Sequence, residues 1–416
     1  MNILIINQPP FNRGDESAHK GLVRTLIRKI PHVQIRVLSK IEWAESIRQY
    51  AIDSSQVEYV YEPMNYLKLE GFKMRGLKYG LKWLWHFNPL MYLYRKNFKW
   101  ADIVMCAPGG ICMGGFQDWD HLFLLHLTKF YHRHLVYYGR SFGPFPTTTK
   151  ENQRFFELSL EIINYFRFFS IRDRKSEQLA QELGVPYVST VDSAFLDEPK
   201  VKIPYEITQA IGNRPYMVLV PNYLRWHYAY RDRITHETVM DFYDRLIDII
   251  WNNDPEVNIV MLPQLLEKDN DYAMSDVRMF RDLAQRKQDS RIILTSDNYS
   301  SDIQQTIISK AQYLIGARYH SIVFAINQDI PCIALSYEHK IAGLLETLNK
   351  KEWCIDFTES LDSIEKQQMT LDKIASLIPK LQKDKSLKRI AKKKAMDCME
   401  LFIQAMYHSM LPNKFR

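Results

Sequence analysis

Short apolar runs rich in branched residues alternate with longer stretches of helical period along most of the chain. In the first half the runs are Asn2–Asn7, Val33–Leu38, Asp102–Ala107, Leu135–Tyr138, Phe168–Ile171 and Tyr187–Thr190. Several are apolar on both faces, as strands of a parallel sheet covered by helices must be. Helical stretches such as Ser17–Lys29 and Arg174–Leu183 lie between them; the second stops at Gly184, with Pro186 just beyond. The segment LDEPKVKIPYEITQAIGNRP, starting at Leu196, breaks the alternation with three prolines and mixed charge, and predicts a domain boundary. A second series follows: Tyr216–Val220, Asn258–Leu262, Ile292–Thr295, Tyr313–Ile315 and Cys332–Ser336, with helices over Val239–Trp251 and Asp276–Arg286. The expected organisation is a first domain over 1–200, a second over 201–370 and a helical, lysine-rich tail over 371–416. Two successive strand–helix series predict an α/β fold of two Rossmann-like, doubly wound domains facing a cleft, with ligands beyond the carboxyl ends of the strands.

Composition narrows the class. The 416 residues exceed what one hydrophobic core organises. Hydrophobic and charged fractions of 46% and 25% exclude a largely disordered chain. No apolar run reaches the roughly 18–20 residues that a bilayer-spanning helix needs, and MNILIINQPPF reads as a first strand rather than a secretion signal. Five scattered cysteines (Cys106, Cys112, Cys332, Cys354, Cys398), odd in number and without a CxxC pair, argue against a disulfide framework or a cysteine zinc site. They fit a reducing cytoplasm. No metal site and no cofactor are expected, because no HxxxH or carboxylate cluster stands out.

The strand ends carry the candidate chemistry. After the first strand, two prolines bar an immediate helix, and Asn12, Gly14 and Asp15 form a turn before one begins. A helix N-terminus there offers N–H groups to an anion or polar ligand; an ordinary capped helix is the competing reading. Strand Asp102–Ala107 runs into PGGICMGG, where Gly109 and Gly110 permit close backbone approach, without a Walker or GxGxxG pattern. Arg140 and Ser141 follow the next strand, and Arg172 the one after. A guanidinium at a sheet edge can grip phosphate or carboxylate in bidentate fashion; an Arg172–Asp173 structural pair competes with that use. The strongest local pattern is IGARYHSIVFAINQDIPCIALSYEHK. Arg318, His320 and Ser321 precede an apolar helix, so one anion could meet both cationic groups and the helix N-terminus. His320 could donate a proton, although a structural histidine is the common alternative. Tyr337 and Lys340 follow the next strand.

Taken in order, NRGDES, PGGICMGG, GRSFGPF, SIRDRKSEQLAQELGV with VDSAF, and RYHSIVFAINQDIPCIALSYEHKIAGLL, from Asn12 to Leu345, resemble the polysaccharide pyruvyl transferase family. The resemblance implies a two-domain fold of the GT-B kind, with an acceptor side in the first domain and a donor side in the second. It implies phosphoenolpyruvate as donor and a sugar of a surface polysaccharide, or its lipid-linked oligosaccharide precursor, as acceptor, joined as a pyruvate ketal. It assigns Arg172, Arg318 and His320 to the phosphate and carboxylate of the donor, and His320 or a neighbour to proton donation. Asp15 becomes the candidate base or sugar-orienting group; Asn12, Gly109, Gly110, Arg140, Ser141, Ser321, Tyr337 and Lys340 become candidate binding residues. Two departures stand out: Gly109-Gly110 is followed by Ile111 rather than a further glycine, and Arg140 replaces a small amide residue. The rivals are a nucleotide-sugar glycosyltransferase on the same fold and a non-catalytic sugar-binding component of a glycan assembly complex.

Net charge is +7, and the excess is uneven. Between Lys68 and Lys99 only Glu70 opposes the lysines and arginines, which interleave with tryptophan, tyrosine and phenylalanine. Such a stretch can lie on an anionic membrane, which would place the protein peripherally at the inner face of that membrane. It can equally be a helical pair with core aromatics and solvated lysines. No nucleic-acid-binding motif accompanies it.

Overall fold

The structure, a computed structural model, describes residues 1–9, 12–39, 51–61, 74–87, 89–110, 113–114, 117–265, 275–295 and 299–410. Lys68, Glu70, Gly71, Lys73, Ile111 and Cys112 lie outside the described residues. The chain divides into two units. The first comprises residues 1–10, 18–197 and 393–416, and the second residues 11–17 and 198–392. Chain order alone cannot express this exchange of two short segments.

The first unit is built on a seven-stranded parallel sheet in the order β3-β2-β1-β4-β5-β6-β7. Its strands are β1 Asn2–Ile6, β2 Gln34–Ser39, β3 Val57–Tyr61, β4 Ile103–Cys106, β5 His134–Tyr137, β6 Phe166–Ile171 and β7 Val188–Ser189. The second unit holds a six-stranded parallel sheet in the order β10-β9-β8-β11-β12-β13. Its strands are β8 Tyr216–Val220, β9 Asn258–Met261, β10 Ile292–Leu294, β11 Leu314–Gly316, β12 Cys332–Ser336 and β13 Cys354–Asp356. The central strands β4, β8, β9 and β12 are buried at every position, which is why they are apolar but for Asn258 and Ser336 at their ends.

Among the described residues the helices of eight or more residues are α1 Arg13–Lys29, α2 Tyr92–Trp100, α3 Trp119–Phe130, α4 Lys150–Ile163, α5 Arg174–Glu182, α6 His236–Asn253, α7 Asp276–Lys287, α8 Ser301–Ile308, α9 Tyr319–Asn327, α10 His339–Thr347, α11 Ile364–Leu377 and α12 Lys385–Met410. Side chains of Asp118, Thr149, Asp173, Thr235, Ser275, Ser300 and Ser363 cap α3, α4, α5, α6, α7, α8 and α11. Each such cap contributes about 1 kcal/mol. In the first unit the aromatic core stacks Trp85 edge-on against Phe123 at 5.2 Å. Phe402 of α12 packs against Phe168 at 5.6 Å and Tyr138 at 5.9 Å.

Two histidines are sealed into the first unit. His19 meets the Tyr59 hydroxyl at 2.8 Å, and burial, then Lys20 and Arg24, push its pKa down to about 3. The His126 imidazole lies 3.0 Å from the Leu158 carbonyl and 3.3 Å from the Lys82 ammonium; burial, then Lys82, lowers its pKa to about 4. The unfolded chain therefore takes up two protons below about pH 6.5 that the folded chain refuses. The stability these histidines allow is complete above that pH and is lost as pH falls towards about 4. Between about pH 7 and pH 5 the loss should be roughly 2 kcal/mol per histidine, read by urea unfolding at both values. His126→Gln should make the profile about one proton shallower; an unchanged slope would contradict the assignment.

Candidate active site

In the second unit, β8 is the first strand and β11 the fourth, and they are neighbours. The crossovers on either side leave in opposite directions there, so the carboxyl ends of β8 and β11 border the crevice where such sheets bind ligands. Two loops reach that point. The one after β11 carries Arg318 and His320; the one after β8 carries Asn222, which sequence reading passed over. Asn222 accepts from the Trp226 indole at 2.9 Å and the Leu224 N–H at 3.2 Å, and donates to the Ala317 carbonyl at 3.2 Å. It ties the two loops together.

Arg318 occupies the N-cap position of α9 in extended backbone and makes no side-chain cap, so its guanidinium extends elsewhere. It pairs with Asp276, the first residue of α7. The other Asp276 oxygen accepts the N–H groups of Gln264 at 2.9 Å and Leu265 at 3.0 Å. Burial on its own would lower the pKa of Arg318; the charge and hydrogen bond of Asp276, with Tyr337 and Tyr243, together outweigh it and raise the value, so the guanidinium stays charged inside the protein. Its Nε is buried without a hydrogen-bond partner among the described residues. The Ser321 hydroxyl donates back to the Arg318 carbonyl at 2.6 Å, and a Cβ on Gly316 would lie 2.3 Å from it. Ser321 thus stitches the turn that aims Arg318.

The first turn of α1 belongs to the same unit. Asn12 begins it: its side-chain oxygen accepts the Gly14 N–H at 2.8 Å and the Asp15 N–H at 3.4 Å. The Arg13 N–H donates to the Gln264 carbonyl at 3.0 Å, which fixes this turn beside the loop after β9. Gly14 then lies directly on His320. A Cβ at Gly14 would stand 1.8 Å from the imidazole Nδ1 and 2.4 Å from the His320 Cβ, so only glycine permits the approach. Asp15, largely buried, is the next residue of the turn. Glu16 is buried, pairs with Arg13 at 3.0 Å and accepts both the N–H and the hydroxyl of Ser301 at 3.0 Å, at the start of α8. Neither Gly14 nor Glu16 carried a recognisable chemical signal, because both act through tertiary contacts.

The charges are unevenly shared among these helix starts. Acidic residues sit in the first turns of α1, α7 and α8: Asp15 and Glu16, Asp276, and Asp302 respectively. The first turn of α9 has none, and presents Arg318 and His320 instead. Its positive helix end is therefore not neutralised by its own sequence, which suits an anion. Tyr337 is buried, interacts electrostatically with Arg318, and its hydroxyl is held neutral, burial raising its pKa. Lys340 pairs with Glu338 at 3.5 Å. Beside them His227, another residue passed over, has its pKa lowered by burial first, with Glu338 and Lys340 acting in opposite senses.

The remaining candidates lie in the first unit. Arg140 is almost fully buried, and its Nε and Nη1 donate to the carbonyls of Gly110 at 2.7 Å, Asn7 at 2.9 Å and Ala107 at 2.9 Å. It clamps the loops after β1 and β4 to the end of β5, with Gly109 bridged to its backbone. Ser141 is buried beside it, and its hydroxyl has no hydrogen-bond partner among the described residues. Arg172 pairs with Asp192 rather than Asp173, whose carboxylate caps α5 by accepting the Ser176 N–H at 2.9 Å. Among the described residues no cluster of histidine, cysteine and carboxylates is arranged to hold a metal ion.

A family model described as polysaccharide pyruvyl transferase matches residues 12–339. Among solved structures, the chain is similar to a putative UDP-N-acetylglucosamine 2-epimerase from Listeria monocytogenes, with a TM-score of 0.59, 11% identity, and coverage of 99% of this chain and 97% of that one. It is similar to UDP-GlcNAc 2-epimerase from Neisseria meningitidis, bound to UDP-GlcNAc, with a TM-score of 0.58, 10% identity, and coverage of 98% and 100%. Trehalose-6-phosphate synthase OtsA gives a TM-score of 0.55 at 10% identity, over 99% of this chain and 100% of that one. At such identities the likeness shows the fold, an α/β architecture of the GT-B class.

The Gly14–His320 approach is open to direct measurement. Gly14→Ala should cost about 1–3 kcal/mol by overpacking. Because the His320 Cβ is itself within the clash, His320→Ala should not relieve it, whereas His320→Gly should remove most of it. Denaturant titration of the four corners of the Gly14→Ala, His320→Gly cycle reads this as a coupling energy; additive corners would refute the contact.

Proposed function

We propose that the chain, which belongs to the polysaccharide pyruvyl transferase family, moves a pyruvyl group from phosphoenolpyruvate onto two hydroxyls of one sugar and closes a ketal. The acceptor in this reading is a surface polysaccharide or its lipid-linked precursor. The observation that supports it most is the start of α9, where Arg318 and His320 stand at an acid-free helix end beside the sheet's switch point. Phosphoenolpyruvate carries a carboxylate and a phosphate on one small frame, and a charged guanidinium plus helix N–H groups answer both.

In this proposal His320 protonates the methylene carbon, which becomes a methyl group, and the adjacent carbon becomes an oxocarbenium-like centre. One sugar hydroxyl adds to that centre and loses its proton. The carbon–oxygen bond to phosphate breaks, phosphate leaves with the bonding electrons, and the second hydroxyl adds and loses its proton. One proton is thus delivered to carbon and two are released from oxygen, one of them carried off on the phosphate. In the same proposal Asp15, one residue from the glycine that touches His320, takes a proton or orients the sugar. Holding the donor against the acid and stabilising the developing charge supplies much of the rate. Arg140 and Arg172, engaged with carbonyls and Asp192, act here as supports of the first unit's loops.

Phosphoenolpyruvate at about a hundred times its dissociation constant should raise the thermal midpoint by a few degrees. Arg318→Ala should abolish that shift. His320→Gln should keep the shift yet lower phosphate release by roughly 100-fold or more in the presence of acceptor. Stabilisation by a panel of nucleotide sugars and not by phosphoenolpyruvate would replace this reading with glycosyl transfer.

A further inference from the structure

The first unit carries a surface that the transfer reaction does not use. Of the thirteen large hydrophobic residues exposed among the described residues, five fall between Tyr79 and Tyr92. Tyr79 is 74% exposed, Trp83 57%, Phe87 77% and Tyr92 66%. They are not core residues displaced by chance, because the same segment sends Trp85, Tyr94 and Phe98 fully inside. The Trp83 and Phe87 rings sit together, 6.2 Å apart and edge-on, one helical turn from each other. An outward cluster of this kind marks an interaction surface.

Charge identifies the occupant. From Arg75 to Trp100 the sequence has six lysines and arginines and no aspartate or glutamate. Lys78 and Lys82 are tied to Glu151 and Glu161, and Arg95 donates to the His86 carbonyl. Arg75, Lys96 and Lys99 make no ion pair among the described residues and are solvent-exposed. Tryptophan, tyrosine and phenylalanine set among unpaired cations match the headgroup boundary of an anionic bilayer, where ring faces enter the acyl edge and cations meet lipid phosphates. A protein partner matches less well, since the cores of protein interfaces are depleted in lysine.

We infer that the Arg75–Lys99 face docks the protein on an anionic membrane surface. The docking stands on this surface alone and is independent of the donor reading, so it can be tested without donor or acceptor. The full chain is sedimented with vesicles of phosphatidylcholine and phosphatidylglycerol, beside vesicles of phosphatidylcholine alone. At about 0.1 M salt the chain should sediment with the anionic vesicles only, and near 1 M, where screening shortens to about 3 Å, its binding should fall sharply. Each cation near such a surface contributes about fivefold, so Lys96→Gln with Lys99→Gln should weaken binding about 25-fold. Trp83→Ser with Phe87→Ser should weaken it at least about tenfold with an unchanged thermal midpoint, since both rings are already exposed. A chain that stays in solution with anionic vesicles at low salt overturns the inference. So does equal vesicle binding by both double variants, or a protein partner that needs these residues while vesicles do not bind.

Discussion

The pairing of β11 with β8 decides where Arg318 and His320 stand relative to Asn222 in the second unit. In a wholly parallel sheet all carboxyl ends lie along one edge, so Leu262–Leu265, Ala317–His320 and Tyr337–Lys340 are delivered to that edge together. Only between the first and fourth strands do the crossovers diverge, and there the edge opens. Asn222 and Arg318 fall on the two sides of that opening, and the Asn222–Ala317 hydrogen bond keeps their loops in register. A shift of β11 by one residue would exchange the faces of its side chains and carry Arg318 away from Asp276.

Within that frame the Arg318–Asp276 pair is a poor device for stability and a reasonable one for function. Breaking a buried pair costs about 3–5 kcal/mol, yet replacing both partners with well-packed apolar residues is often neutral. A pair retained for stability alone would need no further hydrogen-bonding capacity. Asp276 uses its second oxygen on two backbone N–H groups, so it is fully occupied as an anchor. Arg318 is not: its Nε is buried and unbonded among the described residues. In the proposed function, an anchored carboxylate holding a partly occupied guanidinium would keep a charge ready for an anion without reorganisation. Arg172 is anchored in a similar way, since its partner Asp192 also accepts the Ala194 N–H at 2.9 Å.

Elements with uniform burial were legible in the sequence and edge elements were not. β4, β8 and β12 are buried at every position and almost wholly apolar, and read as strands at once. β3, VEYVY, lies at the sheet edge with intermediate and exposed positions, and β13 is only three residues long, so neither offered a periodic signal. At the site, Arg318 and His320 were visible because a cationic pair after an apolar strand is locally unusual. Asp276, Glu16 and Asn222 were not, since each looks like an ordinary cap or turn residue until its distant partner (Arg318, Ser301 and Ala317 respectively) is known. Arg140 was visible as a charge, but its role was hidden: three backbone carbonyls from other loops take up the guanidinium that local sequence would offer to a ligand. The aromatic–basic stretch divided in the same way, for sequence could not say that Trp85 turns in while Trp83 turns out.

Gly14 bears on the order of events in the proposed reaction. The transfer needs a proton delivered to carbon and protons withdrawn from oxygen, and one group cannot do both in the same protonation state. A side chain at position 14 would separate the first turn of α1 from the first turn of α9; its absence brings Asp15 to the turn that touches His320. In the proposed reaction His320 as proton donor and Asp15 as proton acceptor stand on two helix starts joined at a single glycine, while the substrate's carboxylate keeps its charge and the phosphate carries its own away. A junction at a single glycine favours positioning over motion in that proposal. It also explains why an Asn-capped turn and a bare glycine precede two acidic residues in the same motif: the cap fixes the turn, the glycine sets the distance, and Asp15 and Glu16 are left for different partners.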